Sequence, residues 1–196
     1  MDDESYFKLY GHQDNKYFYE HPNGTCDAIK YIRKEKFEPK LMVWMAISPR
    51  AASPLVIFPT KQNINGEFYR EFILRQVVKP FVDCHYPDGN YLFWPDLAPG
   101  HTASETVDLL HELDINFIEE DFNPPNSPQL RPIERFWSHL KRRVYMNGWE
   151  ADNLKQLQKR IEKTVETFPP SYFVKLMKNV NKRIFQAARV GVNNVK

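Results

Sequence analysis

The stretch NPPNSPQLRPIERFW, residues 123–137, places a proline-rich loop directly before a helix. Prolines fix the backbone and remove a hydrogen-bond donor, so this loop is stiff and does not continue as a strand. Apolar residues then repeat at helical spacing over residues 130–148, and they are Ile133, Phe136, Trp137, Leu140 and Val144. Glu134 falls in the first turn of this helix. The sequence therefore predicts one carboxylate held rigidly where a loop meets a helix.

The rest of the chain predicts antiparallel strands first and alternating strands and helices afterwards. Strands are predicted at 5–11, 16–20, 41–48, 54–59, 90–96 and 115–120. Helices are predicted at 65–81 and 102–113, the second opened by a capping box of Thr102 and Glu105. Two more follow the helix at 130–148, with Asp152 and Ser171 as their caps. This order predicts an α/β fold, a mixed sheet flanked by helices, with a helical C-terminal extension.

Composition narrows the class of protein. The chain has 196 residues, of which 42% are hydrophobic, and this suits a globular domain with a buried core. No apolar run approaches the roughly 20 residues of a membrane helix, and acidic residues follow Met1 where a signal peptide would be basic and then apolar. Two cysteines make no disulfide framework. We therefore expect an intracellular protein that does not bind a membrane.

The charge is unevenly distributed. Residues 1–139 hold 14 Lys and Arg against 21 Asp and Glu, whereas residues 140–196 hold 13 against 4. A basic C-terminal part suggests a polyanionic partner, although a solvated helix face gives the same pattern. Residues 20–40 are also basic, and their length predicts a projecting loop for DNA or a partner subunit.

Three acids occupy distinctive positions: Asp3 opens the first strand, Asp96 ends a central strand, and Glu134 starts a helix. Strand ends and helix starts of an α/β sheet converge at one edge. Oxygen ligands without Cys or His suit Mg²⁺ or Mn²⁺, and two such ions can clamp a phosphodiester between the attacking and leaving oxygens. Surface acids or helix caps are the alternative interpretation, because an acid in a first helical turn is stabilised without any catalytic role.

Three motifs resemble those of mariner-superfamily transposases, in this order along the chain. DDESYFKL (2–9) resembles the first-strand motif, and FWPDLAPGHTA (93–103) resembles the motif around the second Asp. NPPNSPQLRPIERFWSHLKRRV (123–144) resembles the third motif. Leu97 and Gln129 differ from the residues common in relatives, and the 37 residues between Asp96 and Glu134 are more than the commonest spacing.

The resemblance implies a ribonuclease H-like catalytic domain of a cut-and-paste DNA transposase. Asp3, Asp96 and Glu134 would then be the catalytic and metal-binding residues, holding two Mg²⁺ or Mn²⁺ ions without a small-molecule cofactor. The implied partners are DNA, as transposon ends and target, and a second copy in a homodimer; the implied location is the nucleus. We expect the catalytic domain at residues 1–148 and helices packed on it at 149–196.

Basic residues near these motifs are candidate DNA contacts. Lys141 follows Glu134 by two turns on the same side of the helix, where it can meet a phosphate beside the metals. The full set of candidates is Lys34, Lys36, His101, Arg131, Lys141, Arg142 and Arg143. His101 has other interpretations, as a support of the metal site or as an ordinary polar residue at a helix start. Two alternative functions stay open: an inactive, domesticated nucleic-acid-binding remnant, and another ribonuclease H-like nuclease.

Overall fold

The computed structural model describes residues 1–9, 38–58, 64–125 and 127–191. The predicted strand at 16–20 and nearly all of the predicted loop at 20–40 lie outside the described residues. Lys34 and Lys36 lie outside them too, so these two DNA contacts stay predictions. Among the described helices, none is both long and apolar enough to cross a membrane.

Within these ranges, one antiparallel sheet has the order β1-β2-β3. Its strands are β1 (Asp2–Lys8), β2 (Lys40–Ala46) and β3 (Val56–Phe58). Asp3 pairs with Met45 and Glu4 with Trp44. Because side chains alternate along a strand, Asp3 lies on one face of the sheet while Asp2 and Glu4 lie on the other.

Helices make up most of the remaining described chain. Helix α1 begins with an α-turn at Gly66–Phe68, continues with wider i→i+5 hydrogen bonds over Tyr69–Val78 and ends as an α-helix at Lys79–His85. The others are α2 (Pro99–Thr102), α3 (Ser104–Glu112), α4 (Pro132–Val144), α5 (Leu154–Val165), α6 (Pro170–Met177) and α7 (Val180–Val190). Short 3₁₀ turns lie at Glu120–Phe122, Pro128–Leu130 and Met146–Gly148.

Two apolar clusters cover the two faces of the sheet. On one face, Phe7 and Val43 pack with Phe136 of α4, and residues of α5 and α6 complete the cluster. On the other face, Trp44 packs with Ile73 of α1, and Leu110 of α3 belongs to the same cluster. Helices therefore flank the sheet on both sides. The α/β class is confirmed, and the helices after residue 148 share the core of the sheet.

The strands predicted at 90–96 and 115–120 reduce to one parallel bridge between Phe93 and Phe117. Phe93 makes both ladder bonds, donating to Asn116 O at 2.7 Å and accepting from Ile118 N at 2.9 Å. The next ladder bond would need a donor at residue 95, and Pro95 has no N–H. At the other end, the N–H of Tyr91 is used in a turn, where it donates to Gly89 O at 2.9 Å.

Three predicted helix caps are wrong. Thr102 ends α2 instead of capping α3, whose N-cap is Ala103 without a side-chain hydrogen bond. Asn153, not Asp152, caps α5 by accepting from Gln156 N. Ser171 lies inside α6, which starts after Pro169, and a break at Lys178 and Asn179 separates α6 from α7.

Candidate active site

Acidic side chains from β1 and from the segment after Phe93 meet at the edge of the sheet. One oxygen each of Asp3, Glu4 and Asp96 lies within 4.8 Å of the other two, and all three side chains are half-buried. Among the described residues, these three acids form the group whose oxygens are close enough to bind one ion together. Two of the three predicted ligands are therefore in one group, joined by Glu4, which the sequence did not single out.

Asp3 also faces helix α4. Trp137 donates from Nε1 to Asp3 Oδ2 at 2.9 Å. Burial and, after it, the negative charge of Glu134 raise the pKa of Asp3 to about 7. Glu134 is exposed and outside the 4.8 Å group, but its charge acts on Asp3. The Asp3 carboxylate thus has Asp96 as one acidic neighbour and Glu134 as another.

Glu4 belongs to the cluster although it lies on the opposite face of β1 from Asp3. Burial, together with the nearby carboxylates of Asp2 and Asp96, raises its pKa to about 8. Strand alternation separates Glu4 from Asp3 in the sequence pattern, so the predicted site omitted it. The adjacent Asp-Glu pair in the first motif was the only sequence signal for its place.

Asp96 is held at one oxygen by a hydrogen bond and an ion-pair contact. Its Oδ1 accepts from Ala98 N at 3.0 Å and lies against Nδ1 of His101, a buried nitrogen that has no other partner among the described residues. Burial opposes ionisation of Asp96, but the hydrogen bond and charge of His101 outweigh it, and the pKa of Asp96 is lowered. Asp96 therefore stays ionised beside two acids whose pKa values are raised.

His101 is a buried residue of the site. Its side chain is only 3% exposed, it stacks on Tyr69 with ring centroids 3.6 Å apart, and its Nε2 lies 3.7 Å from Glu4 Oε1. Burial lowers its pKa, but Asp96, Asp2 and Glu4 together raise it above the ordinary value. The side chain faces carboxylates instead of solvent, and a DNA contact at His101 stays a prediction.

A second buried acid, Asp2, lies behind the cluster. Tyr69 OH and Trp44 Nε1 donate to Asp2 Oδ2 at 2.9 and 3.2 Å, while Oδ1 has no hydrogen-bond partner among the described residues. Burial raises the pKa of Asp2, and the positive charges of His101 and Arg131 oppose that rise. This network joins β1, β2 and α1 beneath the site.

Two of the basic residues predicted to contact DNA have hydrogen-bond partners within the chain. Arg131 donates to Pro95 O at 3.0 Å and to the backbone oxygen of Asp2, so it ties the loop before α4 to the site. Arg143 donates to Thr167 Oγ1 at 2.9 Å and lies over the ring of Phe168. Both guanidinium groups are thus engaged within the chain.

Lys141 and Arg142 are the other two described basic candidates. Lys141 is half-buried, and its ammonium lies 5.6 Å from the ring centroid of Phe7. Burial lowers the pKa of Lys141, whereas the charges of Glu134 and Asp3 raise it, so this lysine belongs to the surroundings of the site. Arg142 is exposed. A DNA role of either stays a prediction.

The donor set fits a hard divalent cation. All three clustered ligands are carboxylates, which Mg²⁺ and Mn²⁺ prefer over nitrogen or sulfur ligands. Burial is the largest cause of the raised pKa values of Asp3 and Glu4, and the charges of neighbouring carboxylates add to it. A bound cation would remove the repulsion between these charges.

A sheet with helices on both faces and clustered acids at its edge is the arrangement of a ribonuclease H-like domain. Solved structures of Mos1 transposase have the same fold. Its paired-end complex with the left transposon end matches all of this chain and 55% of that chain, with TM-score 0.80 and 15% identity. The Mos1 mariner paired-end complex with Mn matches all of this chain and 56% of that chain, with TM-score 0.78 and 16% identity.

Sequence comparison identifies the family. A family model described as DDE superfamily endonuclease matches residues 2–158. Since this match covers most of the chain, the protein belongs to the DDE superfamily of endonucleases. The Tcb1 transposase of Caenorhabditis briggsae is 26% identical over 191 residues, and the Tc1 transposase of Caenorhabditis elegans is 25% identical over 187. Each alignment covers 92% of this chain and 63% of the relative, so the chain spans less than two thirds of these transposases.

Proposed function

We propose that this chain is the catalytic domain of a cut-and-paste DNA transposase of the Tc1/mariner type, using Mg²⁺ or Mn²⁺. The observation that carries this proposal is the meeting of Asp3 and Asp96 within 4.8 Å, with Glu134 acting on Asp3 from α4. The family match and the transposases among the relatives support the same function.

In this proposal, Asp3 is the shared ligand of a two-ion site, because it neighbours both Asp96 and Glu134. Bound divalent cations would polarise the scissile phosphodiester, lower the pKa of the attacking water or hydroxyl, and stabilise the leaving oxygen. Trp137 orients Asp3 by its hydrogen bond, and His101 lies against Oδ1 of Asp96. Lys141 offers a positive charge to a phosphate beside the carboxylates.

Two phosphoryl-transfer steps would use this site in turn. In the first, water attacks phosphorus at the transposon end, and the 3′ oxygen leaves and takes up a proton. In the second, that 3′-hydroxyl attacks a phosphodiester of target DNA, and a target 3′ oxygen leaves. Both steps are in-line displacements at phosphorus, so one set of carboxylates serves both. A homodimer, a nuclear location and a catalytic domain that ends at residue 148 also stay predictions.

Cleavage and strand transfer of transposon-end DNA in Mn²⁺ test the proposal, with Asp96→Asn as the variant. We expect this variant to lose more than about 100-fold in rate, because metal-site substitutions outside the ligands already cost 10–100-fold. The control is Asp108→Asn, since Asp108 is an exposed acid of α3, and it should retain wild-type rates. Equal rates for both variants would refute the assignment of the site.

The same experiment separates the alternative functions. A wild-type chain that binds DNA but neither cleaves nor joins it would indicate the inactive remnant. Cleavage confined to the RNA strand of an RNA–DNA hybrid would indicate another ribonuclease H-like nuclease.

A further inference from the structure

The contacts of His101 give this residue a role that the carboxylate motif does not describe. Its ring lies between Asp96 and Glu4. Nδ1 is in close contact with Asp96 Oδ1, and Nε2 lies 3.7 Å from Glu4 Oε1. Its third neighbour is Tyr69, on which it stacks with centroids 3.6 Å apart. Tyr69 is itself anchored, because its hydroxyl donates to the buried Asp2 at 2.9 Å. The imidazole is thus fixed on three sides.

The contacts of Asp96 distinguish its two oxygens. Oδ1 accepts from Ala98 N at 3.0 Å and contacts His101. Among the described residues, no donor bonds Oδ2. Tying one oxygen of a carboxylate sets the plane of the group and leaves the other oxygen free as a ligand. The contact between Glu4 and the same imidazole restrains a second member of the cluster.

Helix α2, which carries His101, is held closely by its neighbours. A Cβ added to Gly100 would lie 3.2 Å from both Cα and N of Gly66, so α2 lies directly against the start of α1. Thr106 of α3 donates to Gly100 O at 2.8 Å. His101 is therefore carried on a turn that is held by two other helices.

We propose that His101 is the positioning residue of the metal site, orienting Asp96 through Nδ1 so that Oδ2 binds the cation. This inference rests on the proposed metal site. His101 does not touch the cation or the DNA in this role. Its effect is on the affinity of the site for the metal, and it acts through Asp96.

Two substitutions separate hydrogen bonding from packing. His101→Phe keeps an aromatic ring on Tyr69 but has no donor for Asp96. His101→Asn loses most of the ring stacking but carries an amide N–H near the position of Nδ1. If His101 only filled space, His101→Phe would be the milder change. If it positions Asp96, His101→Asn is milder.

The measurement is Mn²⁺ binding by calorimetry on the full chain, with thermal unfolding of each variant alongside. We expect His101→Phe to weaken Mn²⁺ binding roughly 10–100-fold, as for other residues that orient a metal ligand. His101→Asn should restore most of the affinity. His111→Ala is the control, because His111 is exposed on α3, and it should bind as wild type.

Wild-type affinity in His101→Phe, or equal weakening in His101→Phe and His101→Asn, would overturn the role of His101. Those results would leave the proposed metal site intact if Asp96→Asn still abolishes binding. If Asp96→Asn binds Mn²⁺ as the wild type does, both the site and the role of His101 are wrong. A His101→Phe variant that unfolds while His101→Asn folds and binds supports the hydrogen bond, since the aromatic ring alone did not suffice.

Discussion

The ionisation of Asp3 links the candidate site to the stability of the folded chain. The pKa of Asp3 is raised from 3.8 to about 7 by burial, with Glu134 as the next cause. A raised carboxyl pKa means that the folded chain binds this proton more tightly than the unfolded chain. The stabilising contribution is complete below the unfolded pKa and is lost as the pH rises towards 7. Above that, folding must accommodate an ionised Asp3 among other acids.

We therefore predict that Asp3→Asn is more stable than the wild type at high pH in metal-free buffer. The amide cannot ionise, and its oxygen still accepts the hydrogen bond of Trp137. The difference in melting temperature, variant minus wild type, should grow from pH 4 to pH 8. It should grow by roughly 2–4 °C for each kcal/mol by which the free energies of unfolding of the two proteins differ. Thermal unfolding across this pH range measures it.

Mn²⁺ provides the matching control. A cation that binds only the folded chain raises its stability, so Mn²⁺ at pH 8 should stabilise the wild type and reduce its gap to Asp3→Asn. A gap that stays constant with pH would show that Asp3 ionises as readily in the folded chain as in an exposed peptide.

At the residue scale, the acids that meet in the structure were easier to predict from the sequence than the side chains that support them. Asp3 and Asp96 were predictable because each has a position in a recognisable motif at a strand start or strand end. Asp2 was not predictable in the same way, because its role depends on side chains far away in the chain, whereas support of the metal site was one of the interpretations of His101, which closely follows Asp96. Asp2 is joined to Tyr69, 67 residues later, and no spacing rule connects the two.

Among the elements, helix α5 offers a direct test of a local interaction that the sequence misassigned. The side chain of Asn153 accepts from Gln156 N at 3.0 Å and so caps the helix. We predict that Asn153→Ala lowers the free energy of unfolding by about 1 kcal/mol, because one orphan donor of the first turn loses its partner. Asp152→Ala should have almost no effect, since among the described residues Asp152 is hydrogen-bonded through its backbone N–H, to Gln156 Oε1. Urea unfolding of the two variants measures this difference, and equal losses would contradict the assignment of the cap.

The predicted bounds of strands and helices are wrong where a single residue determines where a strand or a helix ends. Pro95 limits the strand at 90–96 to a single bridge with Phe117, although the apolar pattern around it is typical of a strand. Asp152 and Asn153 are both good caps, and only the backbone decides between them: Asn153 has extended angles, φ −159° and ψ 166°. Such choices depend on tertiary packing, which the local pattern does not contain.

For the whole molecule, the class of fold could be predicted from the sequence, whereas the internal contacts of the basic C-terminal part could not. Strand and helix order predicted helices on both faces of a sheet, and the structure has them. The basic C-terminal part suggests a surface for a polyanion, yet Arg143 is engaged with Thr167 and Phe168 of the same chain. Charge counts cannot distinguish such internal pairs from a free surface.

The core joins the C-terminal helices to the sheet, so we predict that the chain unfolds as one unit. Leu157 of α5 is fully buried in the cluster that contains Phe7 of β1 and Phe136 of α4. Leu157→Ala should cost about 2–5 kcal/mol, because a buried cavity replaces a packed side chain. Most tryptophans lie before residue 149, at Trp44, Trp94 and Trp137, so their fluorescence reports mainly on the part of the chain that precedes the C-terminal helices.

Leu157→Ala should shift the fluorescence transition and the far-ultraviolet circular dichroism transition together, as in a two-state protein. The matched control is Leu92→Ala, since Leu92 is 61% exposed and its loss should shift neither transition by more than about 0.5 kcal/mol. If Leu157→Ala moved only the circular dichroism transition, the helices after residue 148 would be a separate folding unit. A joint shift means that these helices support the sheet edge on which the acidic site is built.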